Sequence, residues 1–213
     1  KVMFNFKSLL VLLILITGSF KLWAQPLAGT YTVGGTSPDY NTLQAATTDL
    51  TSKGISAPVT FLIRPGTYTE RVTLTQITGA SPSNTITIKG AGIDSTVIAN
   101  NGTNSATWAN FLLNGADYIT LRDMTIATTI STGNYGVGVL LYNNADFNKL
   151  VNLKITGKVA AQANIALVVI SGSATSVTSN GGGATGSYNH IDSCQFIGGF
   201  RAIRVLGVNS TSS

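Results

Sequence analysis

Only one cysteine and one histidine occur among the 213 residues, and charged side chains make up just 10% of the chain. A single thiol excludes an internal disulfide, so the fold has to rest on a hydrophobic core. A single histidine, His190, has no second histidine near it and no serine and carboxylate placed to orient it, which leaves a catalytic triad without support. The scarce charges form no basic stripe interleaved with aromatics, and nucleic acid is excluded as a partner. The remainder is rich in Thr, Val, Ile, Asn and Gly, a composition that favours short strands joined by tight turns.

Long apolar runs are also rare, and the one that exists lies at the start. Lys1 and Lys7 lead into a nearly unbroken apolar stretch ending at Phe20, too short to cross a bilayer as a stable helix, and Ala24 precedes Gln25 at a plausible cleavage point despite the bulk of Leu22. Residues 1–24 therefore read as a secretory signal peptide, residues 25–213 as one domain, and the protein as secreted or surface-displayed. No cysteine follows the signal to carry a lipid anchor, and no transmembrane segment is expected in the mature chain. Without Lys1, Lys7 and Lys21, ten basic residues face eight acidic ones, a net charge near +2. The polar ending, Asn209 to Ser213, has no capping element, so the chain reads as the N-terminal piece of something longer.

What is present is a repeat. Tyr118, Leu121, Met124 and Ile126 are matched by Phe147, Leu150, Leu153 and Ile155, and again by Tyr188, Ile191, Cys194 and Phe196. The extra length before the third line falls in a Gly/Ser/Thr-rich stretch, residues 171–185, that reads as a surface loop. Between these lines lie apolar strands at residues 137–142, 165–170 and 201–206, preceded by shorter ones at 59–63, 71–74, 85–89, 96–99 and 111–113. One helix is expected, with N-terminal capping chemistry at Ser37-Pro38-Asp39, apolar residues Leu43, Ala46 and Leu50 at helical spacing, and a stop at Lys53-Gly54. A strict repeat of side-chain class in successive strand-only units predicts an all-β fold, a right-handed parallel β-helix (solenoid) with an N-terminal capping α-helix. A β-sandwich, the rival for many short strands, has no reason to keep such register.

The segment Asp39-Tyr40-Asn41-Thr42-Leu43-Gln44-Ala45-Ala46, the Gly66-Thr67-Tyr68-Thr69-Glu70 that follows Val59 to Pro65, and Ile88-Lys89-Gly90-Ala91-Gly92 together resemble the opening of the pectinesterase family. That resemblance implies the pectin-lyase-like right-handed parallel β-helix and a carbohydrate context. The family's catalysis rests on two aspartates, supporting glutamines and an arginine further along. The glutamine-bearing strand would fall at Tyr135 to Leu140, which reads YGVGVL; the Gln-Asp-Thr turn near Gly157 to Ala161 is absent; and Gly199 to Ile203 carries no carboxylate. No catalytic residue is identified.

The remaining candidates have structural readings beside functional ones. Cys194 takes the place of Met124 and Leu153 and so belongs to the interior, while His190 aligns with Thr120 and Lys149 on the outward face. Asp117 and Asp146 stack one turn apart; such carboxylates share a proton, hold a cation such as Ca2+, or serve a sugar as acid and nucleophile, although Ser187 in the third line suits a ladder of turn caps. Asp123, Asn152 and Ser193 form a second ladder of the same kind. Lys154, Lys158, Arg201 and Arg204 are candidates to hold an acidic sugar, and Trp108, Tyr135 and Tyr142 to stack on a ring. The reading is a scaffold that contacts polysaccharide, with Asp117, Asp146, Lys154 and Arg204 as ligand or cation contacts, no cofactor and no bound metal required. The alternative is a pectinesterase-like esterase or polysaccharide lyase whose catalytic residues lie beyond Ser213. Oligomeric state is open at this stage.

Overall fold

A computed structural model describes residues 25–100, 106–128, 136–159, 164–179 and 181–207; the signal-peptide reading of residues 1–24 and the candidate Tyr135 lie outside them. Alternating inward and outward residues make each strand half-apolar, and the strands coil so that the apolar halves meet. In chain order they are β1 (Leu27–Val33), β2 (Ile55–Ile63), β3 (Gly66–Thr69), β4 (Val72–Thr75), β5 (Ile86–Lys89), β6 (Thr96–Asn100), β7 (Ala109–Asn114), β8 (Ile119–Thr128), β9 (Gly136–Tyr142), β10 (Lys149–Gly157), β11 (Ile165–Ile170), β12 (His190–Asp192), β13 (Gln195–Gly198) and β14 (Arg201–Val205). Each one pairs with its counterpart one turn on, and all pairs are parallel. This is a parallel β-solenoid, as the repeat requires.

Three faces result. The first is β1, β2, β5, the front of β8 and β10, and β12; the second is β3, β6, the rear of β8 and β10, and β13; the third is β4, β7, β9, β11 and β14. The bend between the first two faces is made by one residue per turn. Asp123, Asn152 and Ser193 take φ of 57°, 49° and 52°, a left-handed conformation that Asp and Asn reach at little cost.

The interior is stacked by residue class. Leu121 pairs with Leu150, Met124 with Leu153 and Ile126 with Ile155, and Ile191 and Phe196 continue two of these columns below β10. Cys194 packs against the same core, its thiol pushed up in pKa by burial. Each fully buried aliphatic side chain contributes about 1.5–3 kcal/mol, so the columns carry most of the stability.

The helix, α1 (Leu43–Lys53), buries Leu43, Ala46, Thr47 and Leu50 and packs on β1, β2 and β4 at the N-terminal end. Its N-cap is Thr42, whose side chain accepts the Ala45 amide, and its stop is Gly54 at φ 68°. Ser37-Pro38-Asp39 therefore does not begin the helix. Asp39 instead turns back on the edge of β1: its carboxylate accepts the Thr32 amide at 2.7 Å and hydroxyl at 2.8 Å. A carboxylate that can satisfy two donors of an edge strand is more useful there than four residues ahead of a helix that has its own threonine.

Glu70, the last residue of the GTYTE segment, has a related task. Its two oxygens accept the amides of Leu43 and Gln44, at 3.2 and 2.7 Å, placing a negative charge on the first turn of α1. Tyr68 of the same segment donates its hydroxyl to the Arg64 carbonyl and lies so close to Gly34 that a side chain there would overlap its ring. The residues that carry the family resemblance thus fasten the cap to the first coil.

Candidate functional site

The outward residues of the first face form two columns. One runs Thr30, Thr60, Thr87, Thr120, Lys149, His190; the other runs Thr32, Leu62, Lys89, Arg122, Val151, Asp192. Hydroxyls at consecutive rungs, about 4.8 Å apart, supply donors and acceptors in a line, and Lys149 adds an exposed ammonium beneath them. Parallel pairing imposes this register because β-branched threonine suits a half-exposed sheet position.

Beside the columns stands an aromatic ladder. Tyr118 and Phe147 stack at 5.2 Å between ring centroids and 5° between planes, and Phe147 and Tyr188 at 4.8 Å and 1°. All three residues have left-handed backbones, at φ 59°, 56° and 56°. For bulky side chains that conformation is costly, and stacking offsets part of the cost. The rings lie outside the solenoid rather than in its core, with Phe147 41% and Tyr188 77% exposed. Together with Pro82, Thr85, Thr120 and Lys149 they line a groove of about 280 Å³. Its lining combines aromatic edges, hydroxyls and one cation, groups able to stack on a ring and to exchange hydrogen bonds with hydroxyls.

The turn that holds the ladder depends on two asparagines that sequence reasoning passed over. Asn148, almost wholly buried, donates to the Ala116 carbonyl and accepts the Ile119 amide, both at 2.9 Å; Asn189 donates to the Ala145 carbonyl at 2.8 Å and accepts the Asn148 amide at 2.9 Å. Their one visible signal is that Asn follows the aromatic in two of the three lines.

Asp117 and Asp146 meet at the same corner. Asp117 accepts the Asp146 amide at 2.8 Å, and Asp146 accepts the Ser187 amide at 2.6 Å, so each carboxylate ties its turn to the next. Burial pushes the Asp117 carboxyl above the usual carboxylate value; the Asp146 amide pulls it back, and the Asp146 charge adds to the rise. No third acidic, histidine or cysteine ligand gathers with them among the described residues. Asp123 accepts from Asn152 at 2.8 Å and pairs with Arg122 at 2.8 Å; burial raises its pKa, but these partners outweigh burial and leave it lowered.

The other candidates are dispersed. Lys154 lies on the second face, 3.4 Å from the well-exposed Asp94; Arg204 lies on the third face beneath Val169, its Nε buried and unpartnered; Arg201 covers the Phe200 ring. Lys158 is exposed and outside any strand. Trp108 is buried and cannot stack on a sugar in this state, while Tyr142 is half-covered on the third face. The structure therefore joins Asp117 to Asp146 and leaves Lys154 and Arg204 on separate faces. The repeat had aligned Tyr118, Phe147 and Tyr188; that their rings stack outside the coil, and that a threonine column runs beside them, were the features that sequence reasoning did not assemble.

No protein-family model matches the chain, and no curated protein matches it in sequence. Solved structures do. A pectin methylesterase mutant in complex with a hexasaccharide is 17% identical at TM-score 0.52, over 79% of this chain and 50% of that one. The deglycosylated pectin methylesterase of Aspergillus niger is 12% identical at TM-score 0.52, over 85% and 60%. The chain thus spans about half the length of the first and three fifths of the second. The likeness is one of fold, a parallel β-helix.

Proposed function

We propose that the protein is an exported β-helix scaffold that meets polysaccharide through the outer surface of its first face. One observation carries this reading: the outer ladder of half-buried Tyr118 with exposed Phe147 and Tyr188 borders a column of threonine hydroxyls followed by Lys149 and His190. A similar structure that holds a hexasaccharide supports a glycan as the class of ligand. Calorimetric titration with pectin fragments and with neutral glucans tests it. Binding is expected, weakened about 10-fold by Tyr188→Ala and again by Lys149→Ala, as the loss of one stacking or one charged contact implies. Binding unchanged in both variants would remove the first face from the proposal, and no binding to any glycan would remove the function.

The second reading is an esterase or lyase acting on acidic polysaccharide, its catalytic residues beyond Ser213. It draws on the likeness to pectin methylesterases, which this chain matches over only part of their length. Methanol release from methyl-esterified pectin and formation of unsaturated, ultraviolet-absorbing uronate ends, both by a chain extended past Ser213, are its assays, and neither product above background would sink it.

A further inference from the structure

The bend between the first and second faces holds a cavity of about 610 Å³ on its outer side, between Arg64 and Pro65 after β2 and the turn Lys89-Gly90-Ala91-Gly92 after β5. Its charges are unequal. Asp123 is the one acid in the lining, and both its oxygens are engaged, one by Asn152 at 2.8 Å and the other by Arg122 at 2.8 Å. Its charge reaches Lys89 as well but is shared with Arg122. Neither cation of the lining, Arg64 or Lys89, has an ion-pair partner among the described residues.

Arg64 is also held in place. Its Nη1 donates to the Thr36 carbonyl, an uncharged acceptor, and its stem lies over Gly35, where any side chain would overlap it. Asp39 is near enough to feel the Arg64 charge, but its carboxylate turns to the Thr32 amide and hydroxyl. The Arg64 Nε and Nη2 therefore have no hydrogen-bond partner among the described residues, and Lys89, exposed at the cavity wall, has none either. A fixed guanidinium with free donors and an ammonium at the same opening suit an oxyanion, and the apolar surface of Leu62, Pro65 and Ala91 gives room for an organic body beside it.

We propose that this cavity binds the carboxylate or phosphate of a small organic acid, with Arg64 supplying the positioned donors and Lys89 the second charge. It shares no lining residue with the aromatic groove, so it stands apart from the glycan reading.

Calorimetric titration of the full chain with glucuronate, glucose 6-phosphate and glucose tests it, since these sugars carry a carboxylate, a phosphate and no charge. Saturable binding of at least one acid and none of glucose is expected, and the tighter acid identifies the anionic group. Arg64→Gln and Lys89→Gln are each expected to weaken that binding about 10-fold. Lys89 is exposed and unpartnered among the described residues, so its variant remains decisive even if Arg64→Gln disturbs the turn at Thr36. Asp123→Asn, which removes the one negative charge of the lining, is expected to tighten binding. Lys53→Gln, which removes a cation paired with Asp49 on α1, is expected to leave it unchanged. No acid binding, equal binding of glucose, or parental affinity in both Arg64→Gln and Lys89→Gln would overturn the proposal. So would equal weakening in Lys53→Gln, because net charge alone would then account for the effect.

Discussion

Asn148 holds a turn from inside it, with both ends of its side-chain amide engaged by the preceding rung. Truncation to alanine strands the Ala116 carbonyl and the Ile119 amide where water cannot replace it, and a loss of about 2–4 kcal/mol is expected in urea unfolding, against a smaller loss for the less buried Asn189→Ala. Asp117 acts in the opposite sense. Its folded pKa lies above the unfolded value near 3.8, so the native state holds the proton more tightly, and the group's contribution falls as pH rises from about 3.8 through the folded value. Asp117→Asn keeps an acceptor for the Asp146 amide and removes the charge; urea midpoints followed from pH 3 to 7 should flatten over that interval, with no loss at pH 7. Cys194 is predicted to react with an aromatic disulfide reagent more slowly in the folded protein than in denaturant, as a half-buried thiol of raised pKa should. Its interior place was legible in the sequence because Met124 and Leu153 share its position in the repeat. The roles of Asn148 and Asn189 were not legible, since their recurrence after the aromatic does not say that the side chain turns inward to bridge two rungs.

At the scale of elements, strands were easier to read than ends. Alternation announced most of them, but β1 and β3 escaped: β1 carries small and polar outward residues, and β3 lies inside a segment dominated by its turn glycine. The helix was placed correctly by Leu43, Ala46 and Leu50, while its start was set too early because aspartate and proline fit a helix cap and a strand-edge clasp equally well. The true anchor comes from 27 residues away, in Glu70. Glu70→Ala is predicted to cost about 1–2 kcal/mol, and Glu70→Gln less because an acceptor remains, with helix amides exchanging faster in both by hydrogen exchange. Residues 171–185 were read as a surface loop, and Val177 within them is buried: one valine in a run of serine, threonine and glycine has no period to reveal it.

For the whole molecule, stability is a sum over coils, each resting on its neighbours. The interior residues of β8 and β10 are closed in from both sides, whereas Ile203 and Val205 of β14 are exposed by 43% and 61%. Hydrogen exchange is therefore expected to slow from β14 through β10 to β8, and Leu153→Ala, which opens a central cavity, to cost about 2–5 kcal/mol. Composition and repeat were enough to disclose the coil because a solenoid writes its geometry into every turn. The candidate site was harder to find, for the repeat put Tyr118, Phe147 and Tyr188 in register but not on the outside, where their left-handed backbones turn them.

The clasp on β1 also bears on how molecules meet. The Thr32 amide donates to Asp39 and the Thr32 carbonyl accepts the Tyr40 amide, while α1 packs on the adjoining strands. At that rung an incoming strand would find both backbone groups already engaged, so the clasp disfavours edge pairing there, the contact through which parallel sheets stack into fibres.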